Sequence, residues 1–205
     1  MTPASIPSGA IPLPLPGGEL LYWPQIKLGM PANRLLDRLI DETEWRQDEI
    51  TLFGQTHLTP RLSAWIGDPD CHYSYSNIAL QPLPWTPLLL ELRSQAEALS
   101  GHGFNSVLLN LYRDGADSMG CHADDEPELG PQPAIASLSL GQERPILFRH
   151  KRDRSMKPVR LPLANGSLLL MRGDTQANWK HEIPKSRRPM GPRLNLTFRQ
   201  IIQLR

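Results

Sequence analysis

The segment CHADDEPEL, residues 121–129, places a histidine and several carboxylates within a few positions of one another. On an extended backbone His122 and Asp124 point to the same side, with Cα atoms roughly 6.6 Å apart at about 3.3 Å rise per residue. An imidazole and a carboxylate so placed can reach one metal ion about 2 Å from each donor atom. A second histidine, His181 in NWKHEIP, stands just before a proline at the edge of another expected strand. Two imidazoles and one carboxylate make the facial set that leaves coordination positions open on iron(II). Zinc accepts the same donors, so ligand type alone leaves the metal open. The competing reading is a solvated acidic loop, because an HxD triplet arises readily in a chain with six histidines.

Two other stretches carry polar residues at alternate positions. In NSVLLNLY, Asn110 and Tyr112 share a face opposite Leu109 and Leu111. In RLNLTFR, Arg193, Asn195, Thr197 and Arg199 share one face, while Leu194, Leu196 and Phe198 share the other. Taken singly, such a polar face is most simply a solvent face. Their order suggests more: an Asn-x-Tyr face precedes the HxD triplet, and an Arg-x-Asn-x-x-x-Arg face follows the second histidine. Arginine presents the planar fork that binds carboxylates. An open-site metal beside two arginines suits a dianionic co-substrate that chelates the ion.

These residues need elements to hold them. Residues 32–45 place Leu35, Leu36, Leu39 and Ile40 at helical spacing. Residues 86–101 form a clearer helix, with Thr86 as cap, Pro87 in the first turn and Gly101 as the stop. The chain between these helices is turn-rich. From residue 105 short strands dominate: NSVLLNLY, AIASLSLG, RPILFR, VRLPL, SLLLM and RLNLTFR, separated by Gly, Pro, Asp and Asn. Helices followed by many short strands predict an α+β domain built on an antiparallel sandwich or barrel.

The 205 residues suffice for one domain with a full core. A hydrophobic fraction of 40% and a charged fraction of 21% are those of a globular chain. Residues 1–16, rich in proline and small residues, read as a flexible arm rather than a signal peptide. No apolar run approaches the roughly 20 residues that span a bilayer, so no membrane partner is expected. Cys71 and Cys121 cannot build a disulfide framework, which makes a reducing cytoplasm the expected home. The net charge of +1 exerts no global pull on nucleic acid, but residues 149–160 and 185–193 gather positive charge into the C-terminal half.

The stretches NLYRDGADSMGCHADDEPEL, IASLSLGQERPILFRHK, LANGSLLLM, WKHEIP and GPRLNLTFRQI resemble, in order, motifs of the AlkB family of iron(II)- and 2-oxoglutarate-dependent dioxygenases that repair alkylated nucleic acids. The resemblance runs from about residue 17 to the C-terminus and is densest from 105 to 201. Its HADDE form is similar to the DNA-repair homologues of the HxDDE type. LFGQTHLTPR, IGDPDCHYSYSN and LPWTPLL continue it upstream.

The resemblance implies a double-stranded β-helix (jelly-roll) core with N-terminal helices packed on it. Residues 17–104 would supply the helices and a substrate-recognition lid, and residues 105–205 the core. It implies that His122, Asp124 and His181 ligate Fe(II) as the catalytic centre. Arg193 would pair with the distal carboxylate of 2-oxoglutarate, Arg199 would lie near its chelating end, and Asn110, Tyr112 and Asn195 would add hydrogen bonds. Both polar strand faces would then turn inward. The implied chemistry decarboxylates 2-oxoglutarate with O2 to succinate and CO2, hydroxylates an N-methyl group, and releases formaldehyde from the restored base.

On the substrate side, the resemblance implies that Tyr75, with Tyr73 beside it, stacks on an extruded base. Asp125 and Glu126 would favour cationic lesions such as 1-methyladenine and 3-methylcytosine. Phe53 would act as an apolar wedge in duplex DNA, and Arg61 would touch phosphate or the lesion strand. Arg149, His150, Lys151, Arg152, Lys185, Arg187 and Arg188 would hold the DNA backbone. A monomer acting on alkylated DNA is expected, located in the cytoplasm with the nucleoid or in a nucleus. The alternatives are the same chemistry on RNA, a nucleic-acid-binding module with a structural metal, or hydroxylation of a protein or small molecule.

Overall fold

A computed structural model describes residues 6–52, 54–71, 73–75 and 78–202. The chain begins with β1 (Ile11–Leu13), β2 (Glu19–Trp23) and helix α1 (Ala32–Glu42). The hairpin β3 (Glu49–Leu52) and β4 (Gln55–Leu58) follows, then β5 (Leu62–Gly67). A second hairpin, β6 (Tyr73–Tyr75) and β7 (Ile78–Leu80), leads to helix α2 (Pro87–Ser100). After it come β8 (Ser106–Tyr112), β9 (Met119–His122), a 3-10 turn (Pro127–Leu129), β10 (Ile135–Gly141) and β11 (Arg144–His150). The chain ends with β12 (Val159–Leu163), β13 (Ser167–Arg172), the short α3 (Thr175–Asn178), β14 (Trp179–Ile183) and β15 (Arg193–Arg199).

Among the described residues the strands form a seven-stranded sheet ordered β1-β2-β13-β10-β15-β8-β5 and a four-stranded sheet ordered β12-β11-β14-β9. Every strand pair is antiparallel. The alternation in β15 explains the layering. Leu194, Leu196 and Phe198 face the core they share with Leu35 and Leu39 of α1 and Leu88, Leu89 and Leu92 of α2. The other face of the large sheet, through Tyr112, Leu169 and Met171, meets Ile146 and Phe148 of β11 and Trp179 and Ile183 of β14. Helices, large sheet and small sheet therefore form three layers, and the polar face of β15 is trapped between the two sheets. This is the expected jelly-roll with helices on one side.

Helix α2 starts and stops where its sequence indicates. Leu89 N–H donates to Thr86 Oγ1 at 3.2 Å, and Gly101 adopts a left-handed φ of 73°. Helix α1 ends at Glu42, three residues short of the expected 45, because Thr43 turns extended and the Trp45 indole folds back to donate to Ile40 O at 2.9 Å. That bond satisfies a carbonyl which the helix end would leave open.

The N-terminal arm is bound where it is described. Ile11–Leu13 pair with β2, and the indole of Trp179 donates to Pro16 O at 3.0 Å. Nor does a boundary at residue 105 separate lid from core, since β2 and β5 are strands of the large sheet. The chain between α1 and α2, expected to be turns, forms strands. Hairpin β3–β4 stands out from the body, with β4 exposed along its length. Its base is held by Ser63 Oγ on Asp48 Oδ2 at 2.6 Å and by Gln47 Nε2 on Thr59 O at 2.8 Å. No described helix is long and apolar enough to cross a membrane.

Candidate metal centre and active site

The two histidines come from neighbouring strands of the small sheet. His122 ends β9 and His181 sits in the middle of β14, and they are direct register partners with ring centroids 4.3 Å apart. The Nδ1–H of His122 donates to Gly120 O at 2.8 Å, which leaves Nε2 free as a donor atom. Asp124, two residues past β9, is 3% exposed. Its backbone N–H donates to Oε1 of Gln176 at 3.0 Å, and Gln176 belongs to α3. Its Oδ1 accepts from Arg199 Nη2 at 2.6 Å. Its Oδ2 is buried without a hydrogen-bond partner and lies 3.7 Å from Nε2 of His181.

Ligand atoms of His122, Asp124 and His181 all lie within 4.8 Å of one another. Bonds of about 2 Å to a shared ion put donors up to about 4 Å apart, so small side-chain adjustments close this set on a metal. The charge states suit it. Burial alone would raise the Asp124 pKa, but Arg199 and the two imidazoles hold it down, to about 2. Burial pushes His181 down to about 3, with His122 adding to the effect and Asp124 opposing it. At neutral pH the site offers a carboxylate and a neutral imidazole, the forms that bind metals. The unmatched Oδ2 of Asp124 is the observation that an ion would explain.

Next to this set lies a polar ladder on the trapped face of the large sheet. Arg193, 0% exposed, donates through Nη2 to Ser139 Oγ at 2.9 Å and to Asn195 Oδ1 at 2.6 Å. Asn195 donates to Thr197 Oγ1 at 2.7 Å and accepts from Ser137 Oγ at 3.0 Å. Nε and Nη1 of Arg193 are buried and make no regular hydrogen bond, the Tyr112 side chain being the polar neighbour that supports the cation. No carboxylate pairs with Arg193 among the described ion pairs, and burial pushes its pKa down to about 10, so it remains a cation at neutral pH. A buried cation with two open N–H groups is a receptor for a carboxylate. Tyr112 and Asn195, its neighbours, line a cleft that also contains His122, Asp124 and His181. The donor set and the open arginine edge therefore fit a metal and a dicarboxylate held side by side.

The comparisons agree with this geometry. A model of the 2OG-Fe(II) oxygenase superfamily matches residues 25–199. The chain is 44% identical over 180 residues to the Homo sapiens DNA oxidative demethylase ALKBH2, covering 83% of this chain and 69% of that protein. The chain belongs to the AlkB family of 2OG-Fe(II) oxygenases. It is 42% identical over 178 residues to the Homo sapiens alpha-ketoglutarate-dependent dioxygenase alkB homolog 3, covering 83% of this chain and 62% of that protein. It is also 32% identical over 211 residues to the Arabidopsis thaliana DNA oxidative demethylase ALKBH2, covering 91% and 67%. A solved structure, OsALKBH1, superposes with a TM-score of 0.64 at 18% identity, covering 93% of this chain and all of that one, and speaks to the fold. AlkB-family enzymes of this kind use Fe(II), 2-oxoglutarate and O2.

The structure brings His122, Asp124, His181, Asn110, Tyr112, Asn195 and Arg199 to one cleft, with Arg193 against its wall. Arg61 joins them by donating to Asn110 Oδ1 at 2.9 Å, a protein contact where a phosphate or lesion-strand contact was expected. Asp125 is exposed and paired with Lys151 at 2.7 Å. The backbone carbonyl of Glu126 accepts from Leu129 N–H at 2.9 Å at the start of the 3-10 turn. Of the basic residues, Arg149 pairs with Glu182 at 3.0 Å, while Arg152, Lys185, Arg187 and Arg188 are exposed. Tyr73 and Tyr75 belong to β6, but their side chains lie outside the described part, as does Phe53 entirely.

Sequence reasoning passed over Ser137, Ser139, Gln176 and Arg144. The serines alternate within IASLSLG on the face that Arg193 and Asn195 use, a signal legible in principle. Gln176 and Arg144 carry none.

Removing a ligand should abolish metal binding while removing its support should only weaken it. In anaerobic Fe(II) titrations, His181→Ala is expected to lose more than about 100-fold in affinity and Gln176→Leu about tenfold. Wild-type affinity in His181→Ala would remove this histidine from the metal set.

Proposed function

We propose that this chain is an Fe(II)- and 2-oxoglutarate-dependent dioxygenase that removes alkyl groups oxidatively from the base-pairing nitrogens of DNA, such as those of 1-methyladenine and 3-methylcytosine. The observation that carries the proposal is an unmatched carboxylate oxygen on Asp124 in a cleft whose wall, at Asn195, is backed by the buried guanidinium of Arg193. When bound, the iron supplies the oxidising power: O2 and 2-oxoglutarate are consumed, succinate and CO2 leave, and one oxygen atom enters the substrate's C–H bond. The resulting hydroxymethyl group departs as formaldehyde, its hydroxyl proton going to solvent, and the C–N bonding pair returns to the base nitrogen as its lone pair.

The chain's own residues position and exclude. His122, Asp124 and His181 would hold the metal, and Arg199 keeps Asp124 ionised and oriented. Arg193 would grip the distal carboxylate of 2-oxoglutarate, with Tyr112, Asn110 and Asn195 beside it. Buried walls such as Ile183 and Met171 keep water from the reacting atoms. All these residues belong to one chain, which supports action as a monomer. The proposed compartment is the one that holds the DNA, cytoplasmic or nuclear.

A methyl group on a pairing edge is hidden in a duplex, so the base must leave the stack. Tyr75 and Tyr73 are the proposed stacking residues, and Asp125 and Glu126 the proposed selectors of a cationic base. Lys151, now on Asp125, would share that carboxylate with the incoming cation. Phe53, which follows β3 in the sequence, is the proposed wedge. The exposed basic residues of 149–152 and 185–188 are the proposed backbone contacts.

Two measurements test this. Incubation with a 1-methyladenine oligonucleotide, Fe(II) and 2-oxoglutarate should release succinate and formaldehyde in step with methyl loss. Turnover of 2-oxoglutarate without methyl loss would refute the substrate. Phe53→Ala should lower the ratio of duplex to single-strand repair by about tenfold, the loss of about 1.4 kcal/mol of unstacking help. An unchanged ratio would remove the wedge.

A further inference from the structure

The small sheet contains a second buried arginine that the reading above does not use. Arg144 opens β11 and is 1% exposed. Its Nη1 donates to Asp114 O at 3.0 Å, and its Nη2 donates to Asp117 O at 2.9 Å and to Pro184 O at 2.5 Å. Asp114 and Asp117 lie in the connection that leaves Tyr112 and leads to His122. Pro184 directly follows β14, three residues after His181. One guanidinium thus ties together the chain just past Tyr112 and the chain just past a proposed metal ligand.

The two connections also touch each other. Ser186 N–H donates to Gly115 O at 2.7 Å, and a Cβ at Gly115 would lie 2.7 Å from Ser186 O. That approach is closer than any side chain tolerates, so the crossing needs glycine there. Asp117 locks the loop through a two-point pairing with Arg113 at 2.8 and 2.9 Å.

The guanidinium of Arg144 also lies over the ring of Tyr112, with its central carbon 5.4 Å from the ring centroid. That of Arg193 lies over the same ring at 5.2 Å. A single tyrosine is therefore held by two buried cations, neither of which has a carboxylate partner among the described ion pairs. Backbone carbonyls satisfy Arg144, whereas Arg193 keeps an open edge. A purely structural staple would need no aromatic ring and no proximity to another cation. Two cations held against one tyrosine ring repel each other, and a dianion is what relieves that repulsion.

We propose that Arg144 is a positioning residue for 2-oxoglutarate: it braces Tyr112 and adds a second positive charge at the distal-carboxylate end of the site without touching the ligand. The inference rests on the dioxygenase reading given above. Arg144 then sets the preference for a five-carbon keto-diacid over keto acids that share the chelating end and lack the distal carboxylate.

The test is binding, not turnover. The Fe(II) protein is titrated anaerobically with 2-oxoglutarate and with 2-oxobutyrate, following the visible absorption of the ferrous keto-acid chelate. Wild type should favour 2-oxoglutarate. Arg144→Gln should narrow that preference about tenfold, mainly by weakening 2-oxoglutarate, with Fe(II) affinity unchanged. Arg144→Lys keeps the charge and loses the planar fork, and should fall between the two. A preference in Arg144→Gln within twofold of wild type, or equal weakening of both keto acids, reduces Arg144 to a structural staple and overturns the proposal. Should Arg144→Gln fail to fold, Arg144→Lys decides: a narrowing of about threefold or more supports the role, and an unchanged ratio overturns it. A wild-type protein with no preference for 2-oxoglutarate would overturn the dioxygenase reading as well, which separates the two failures.

Discussion

Buried charged groups whose polar atoms the protein leaves partly unbonded are the constraint around which this fold is arranged. Asp124 and Arg193 are both almost wholly removed from water, and each keeps polar atoms without a hydrogen bond. Leaving such groups unsatisfied costs roughly 1–3 kcal/mol each and more where they are charged. A fold tolerates that cost where a ligand will cancel it. A cation beside Asp124 and a carboxylate beside Arg193 would each do so, and a chelating dicarboxylate joins the two in one molecule.

The architecture follows from holding those groups in place. The large sheet is covered by α1 and α2 on one side, so its apolar residues fill one face and release the other for a polar ladder. The small sheet supplies the imidazoles as adjacent register partners, a rigid way to fix two donors. The outer supports come from elsewhere: Gln176 on α3 holds the backbone of Asp124, and the arm ahead of β2 holds Trp179 at the start of the strand that carries His181. The parts proposed to face the substrate, by contrast, stand outside the layers. Hairpin β3–β4 and the basic loops bury little.

Much of this was legible in the sequence, and the failures are instructive. The ends of α2 were readable because a threonine cap and a left-handed glycine have local causes. The two faces of β15 were also readable, but not their orientation: alternation shows that the faces differ and says nothing of what covers the polar one. Only the order of motifs, through resemblance, turned Arg193 and Asn195 inward. Strand β9 escaped notice because its few residues, MGCH, have no pattern of their own and pair only through β14. The contacts of the arm's described residues were illegible for a related reason. Its prolines suggested looseness, while its bonds to Trp23 and Trp179 are made across long sequence separations. Arg144 opens the expected strand RPILFR, but its acceptors are backbone carbonyls that no side-chain pattern can announce.

The most direct test of the central claim is an anaerobic crystal structure with Fe(II) and 2-oxoglutarate. The account requires one ion about 2 Å from donor atoms of His122, Asp124 and His181, including Oδ2 of Asp124, and a carboxylate within about 3 Å of Nε and Nη1 of Arg193. An ion bound elsewhere, or an Arg193 edge that the dicarboxylate never reaches, would contradict it.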